Sequence, residues 1–78
     1  MLILSKHARL RMHERGITED LITEVVKNPD NLTIEDDQYT AAKRYGKNAI
    51  IVVYTKSSNA EFIITVISSS KLTKYRNK

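Results

Sequence analysis

His7, Arg11 and Arg15 recur at four-residue spacing in "SKHARLRMHERGI", residues 5–17. On a helix that spacing places all three in one row. Ala8, Met12 and Gly16 form the adjacent row, and their small or flexible side chains allow a close approach to another element. Two guanidiniums on one row can offer directed, planar donor pairs to a phosphate. A histidine beside them can act as a base, or it can be a satisfied core histidine. The arginines also have a purely structural reading, as partners of carboxylates such as Asp20 or Glu24. His13 is six residues from His7 and so lies on a different face. The i, i+4 histidine pair of a helical metal site is absent, and the chain has no cysteine, so no metal and no other cofactor is expected. A second basic group, Lys71, Lys74, Tyr75, Arg76 and Lys78, follows the last apolar run. It reads either as a solvated terminus or as a segment anchored by Leu72 and Tyr75.

Local signals define the elements that would carry these residues. Ser5 can cap a first helix, and Gly16 supplies the left-handed residue that closes it. Thr18 can cap a second helix over "TEDLITEVVKN", with Ile17 and Ile22 spaced as a hydrophobic staple. Leu21, Ile22, Val25 and Val26 form its apolar stripe, and Asn28-Pro29-Asp30 ends it. The period then changes. "NLTIE" and "QYTAAKRY" read as strands, and the second of them reaches a turn at Gly46. "AIIVVYT" and "FIITVIS", joined by "KSSNAE", read as a hairpin of central strands that are apolar on both faces. The expected fold is α+β, with two N-terminal helices on one face of an antiparallel sheet of about four strands. Residues 49–55 and 61–68 should be neighbours. The second sheet face has no helix to cover it, although Leu2, Ile3 and Leu4 could help. A homodimer, or a site for another protein, is expected there.

The 78 residues suffice for one domain, 1–78, with a basic tail from about residue 70. The absence of cysteine fits a reducing cytoplasm, and no apolar run is long enough to span a membrane. Charge is segregated. Residues 1–16 carry four basic and one acidic side chain; 17–37 carry one basic and seven acidic; 38–78 carry eight basic and one acidic. The net +4 therefore conceals a dipolar chain suited to holding a polyanion on one side.

"HARLRMHERGI", "EVVKNP", "IIVVYT" and "ITVISSSKLTKYR" together resemble a family of small uncharacterised prokaryotic proteins, a domain of unknown function. Its members begin His-Ala-x-x-Arg-Met-x-x-Arg-Gly-Ile, matched here by His7, Ala8, Arg11, Met12, Arg15, Gly16 and Ile17. That family is distantly similar to the BrnT and RelE-like toxins of type II toxin–antitoxin systems. The resemblance implies a compact helix-on-sheet domain, a metal-free endoribonuclease activity, RNA as substrate and an antitoxin-like protein as partner. Metal-free cleavage needs a base for the 2′-hydroxyl, cations around the phosphate and an acid for the leaving oxygen. The expected roles are His7 as base, Lys71 or Tyr75 on the leaving group, and Arg11, Arg15, Lys74 and Arg76 on phosphate. The alternatives are a non-catalytic nucleic-acid- or protein-binding module on the same fold, or a structural homodimer.

Overall fold

The computed structural model describes residues 2–69. The element order is β1 (Leu2–Leu4), α1 (Lys6–Arg15), α2 (Glu19–Lys27), β2 (Asn31–Glu35), β3 (Gln38–Tyr45), β4 (Asn48–Ser57) and β5 (Ala60–Ser69). The α+β class, the two helices and the pairing of the last two strands are as the sequence implied. The sheet, however, has five strands in the order β1-β5-β4-β3-β2, and it is mixed rather than antiparallel. The extra strand is β1, which pairs parallel with β5 and sets Leu4 opposite Ile63. Leu2 and Leu4 turn toward the core while Ile3 turns away, as strand alternation requires.

The caps fall where their chemistry places them. The Ser5 hydroxyl accepts from the Ala8 amide at 3.0 Å. The same hydroxyl donates to the Ile64 carbonyl at 3.0 Å, and the Ser5 amide donates to the Ile63 carbonyl at 3.1 Å. Ile64 is the extra residue where the β4–β5 register slips, with Val53 opposite Thr65 and Tyr54 opposite Ile63. Ser5 thus starts α1 and also fastens it to the bulge of β5. Ser5→Ala should cost about 1–3 kcal/mol, since it removes a cap and strands two backbone groups. Thermal unfolding should show this as a melting temperature lower by about 5–15 °C.

Gly16 ends α1 with φ +64° and donates its amide to the His13 carbonyl. The Thr18 hydroxyl caps α2 by accepting from the Leu21 amide at 3.2 Å. Beyond α2, Lys43 donates to the Asn28 carbonyl at 3.0 Å, and the Asp30 carboxylate accepts from the Arg44 amide at 2.8 Å. These two bonds pin the α2–β2 connection onto β3.

Both helices pack on one sheet face. Ala8 of α1 and Ile22 and Val25 of α2 share a buried cluster with Ala41, Ile50, Val52, Tyr54, Ile63 and Val66. Tyr39 stacks on Tyr54 with ring centroids 5.2 Å apart, and Lys56 lies over the Tyr39 ring. The opposite face carries Ala42, Ala49 and Ile51, which are also buried, and the cross-strand pair Ile3 and Phe62, which are exposed. Among the described residues, no helix lies on that face and none is long and apolar enough to cross a membrane.

Candidate nucleic-acid interface

Only Ala8 of α1 is fully buried, with Met12 half-buried behind it. The rest of the helix is presented outward. It carries Lys6, Arg9, Arg11 and Arg15 against a single carboxylate, Glu14. Its first turn has no acidic residue, whereas the first turn of α2 has Glu19 and Asp20. Acidic residues in a first turn favour the helix dipole. The α1 surface forgoes that stabilisation and concentrates positive charge instead.

The four-residue row is real, and two of its members touch. The Arg11 Nε donates to His7 Nε2 at 3.4 Å, and its Nη1 donates to Glu14 Oε1 at 3.1 Å. Arg11 therefore pairs one turn along its own helix, not with Asp20 or Glu24 on α2. The pair lies in solvent, with 40% and 47% of the two side chains accessible, so it contributes a few tenths of a kcal/mol at most. His7 is exposed, which removes the reading of a satisfied core histidine. Arg15 is also exposed, beyond the last turn of the pair. Lys71, Lys74, Tyr75 and Arg76 lie outside the described residues.

The concave surface beside α1 belongs to other residues. A shallow depression of about 260 Å³ is lined by Leu4, Arg9, Met12, His13, Ile17 and Glu19. Leu4, Met12 and Ile17 make its apolar lining, and Arg9, His13 and Glu19 add polar groups. Sequence spacing gave no sign of it, because its lining comes from β1, α1, the α1–α2 connection and α2. Arg9 and His13 share a row of their own, on the other flank of the Ala8–Met12 seam from Arg11 and Arg15, so cationic or ionisable groups line both sides of this short helix.

Two tyrosines are structural. Burial, then Glu61 and Tyr39, raise the Tyr54 hydroxyl above its ordinary value. Burial, then Glu24 and Asp30, do the same for Tyr45, whose hydroxyl is enclosed with no hydrogen-bond partner among the described residues. Both phenols stay protonated at neutral pH, and Tyr54 lies under the helices, 2% exposed. Among the described residues no group of His, Asp or Glu side chains could hold a metal ion.

Two capped helices on one face of a five-stranded mixed sheet, with a cationic first helix turned to solvent, define the class of domain. Residues 4–68 match the family described as a domain of unknown function (DUF4258), and the chain belongs to that family. No curated protein and no solved structure matches the chain.

Proposed function

We propose that this chain is a cytoplasmic RNA-binding domain of the RelE/BrnT-like toxin type, that α1 is the face that meets phosphate, and that His7 carries a metal-free cleavage. The observation that supports this most is the charge of α1. Four cations and two histidines stand on ten residues with one carboxylate, and the helix buries a single alanine. Nothing in the packing of the core calls for those charges. The helix-on-sheet layering is also the arrangement that the toxin resemblance implies. An antitoxin-like protein is the partner in this reading. A homodimer through the Ile3–Phe62 edge of the second sheet face belongs to it as well, because that apolar pair is 44% and 42% exposed while Ala42, Ala49 and Ile51 nearer the middle are already buried.

In the cleavage step His7 takes the proton of the ribose 2′-hydroxyl. The 2′-oxygen then attacks phosphorus, and the 5′-oxygen leaves with a proton from an acid, the role assigned to Lys71 or Tyr75. The products are a 2′,3′-cyclic phosphate and a 5′-hydroxyl. Arg11 and Arg15 hold the phosphate oxygens as charge gathers on them.

A second reading has its own support. His7 Nε2 already accepts from Arg11, and Glu14 is tied to the same guanidinium. That arrangement suits a binding surface with no bond broken. Purified chain incubated with RNA in a chelator separates the two. Cleavage lost in His7→Ala while RNA affinity stays within about threefold supports the enzyme, since general-base removal costs about 10²–10⁴ in rate. Intact RNA with retained affinity supports the binding module.

A further inference from the structure

Among the described residues the sheet ends on one side at β2, which pairs only with β3. The loop between them is Asp36-Asp37, both at positive φ, the signature of a two-residue type I′ turn. Such a turn makes Glu35 and Gln38 the mutually bonded pair. Bonding then alternates along the register, through Thr33–Thr40 to Asn31–Ala42. The amides and carbonyls of Leu32 and Ile34 consequently point off the edge. The side chains of the same two residues lie on the helix side of the sheet, opposite Ala41 and Tyr39, and remain 43% and 58% exposed. Natural edges are commonly blunted by lysine, proline or a bulge, and β2 has none of these.

Its charge is one-sided. Glu35, Asp36 and Asp37 lie at its turn end, Asp30 at its start is 4.0 Å from Lys43, and no lysine or arginine occurs from residue 28 to residue 42. On the second sheet face Thr33, Glu35, Asp36, Gln38 and Thr40 line a depression of about 160 Å³ beside the edge. An incoming strand would therefore meet aliphatic side chains on one face and carboxylates on the other. A second copy paired antiparallel about Thr33 would set Asp30 of each against Asp36 of the other, and in any register it would bring a second acidic strand rather than basic side chains to Glu35 and Asp36.

We propose that the free edge of β2 docks an extended segment of a partner protein in which aliphatic and basic side chains alternate. The aliphatic side chains pack beside Leu32 and Ile34. The basic ones reach Glu35 and Asp36, and the backbone pairs with the four outward groups of Leu32 and Ile34. This surface is separate from α1 and stands or falls independently of RNA binding.

The test uses the full chain labelled with ¹⁵N and two short capped peptides, one alternating valine with lysine, the other valine with glutamate. The lysine peptide should shift the amide resonances of Leu32 and Ile34, slow their hydrogen exchange, and lose affinity as salt rises. The glutamate peptide should leave them unchanged at the same concentration. Ile34→Pro deletes one outward amide without touching the ladder to β3, and it should weaken lysine-peptide binding by at least about tenfold. If that variant fails to fold, Leu32→Lys with Ile34→Lys provides the same loss through charge. Equal binding of both peptides would overturn the proposal, as would no change at Leu32 and Ile34 at millimolar lysine peptide. Self-association of the wild type that Ile34→Pro abolishes would give the edge to a second copy and overturn it as well.

Discussion

Replacing Arg9, Arg11 and Arg15 together by glutamine should weaken RNA binding by about 100-fold at 0.1 M salt. The figure follows from counterion release, where each phosphate neutralised on a single strand contributes about 0.7 to the slope of log K against log salt. Three lost contacts remove about 2 from that slope, or about two decades of affinity at this salt concentration. Folding should be spared. Arg9 and Arg15 are exposed, and the ion pair of Arg11 with Glu14 lies in solvent. Fluorescence anisotropy with a labelled RNA reads the affinity, and thermal unfolding reads the stability. A large drop in melting temperature with unchanged affinity would make these arginines scaffolding.

Ile22→Ala is expected to have the largest effect on stability. Ile22 is wholly buried and joins α2 to the cluster formed by Ala41, Ile50, Val52 and Tyr54. Truncation removes apolar contact and leaves a cavity, at a cost of about 2–5 kcal/mol. For a domain of this size that lowers the melting temperature by about 10–30 °C. Leu10, 54% exposed on the outer side of α1, provides the contrast. Leu10→Ala should change stability by no more than about 0.5 kcal/mol. Equal losses at the two positions would mean that the helices pack differently from the arrangement described.

The features legible in the sequence were those set by local chemistry. Ser5, Thr18 and Gly16 announce helix ends because a hydroxyl acceptor or a left-handed residue is needed within one turn. The β4–β5 hairpin is legible from its β-branched content and polar loop. β1 was not. Three residues carry too little pattern, and their partner on β5 lies about sixty residues away. The expected antiparallel sheet fails for that reason alone, since one parallel edge strand makes it mixed. On α1 the row of His7, Arg11 and Arg15 follows from helical spacing. The structural alternative, pairing with carboxylates such as Asp20 or Glu24, is met at Arg11 by Glu14 instead, three residues along the same helix. The depression beside Arg9 and His13 needs four segments brought together, which no spacing along one helix can reveal. The free edge of β2 likewise depends on strand order, a property of the whole sheet.

Whether α1 meets RNA through its cations is tested most directly by the salt dependence of wild-type binding. Affinity for a labelled single-stranded RNA should be measured between about 0.05 and 0.3 M salt and plotted as log K against log salt. With Lys6, Arg9, Arg11 and Arg15 engaged, the slope should lie between about −2 and −3 and fall toward zero in the triple glutamine variant. A flat dependence for the wild type, or a steep one that the variant retains in full, would contradict the assignment of α1 as the RNA-binding face.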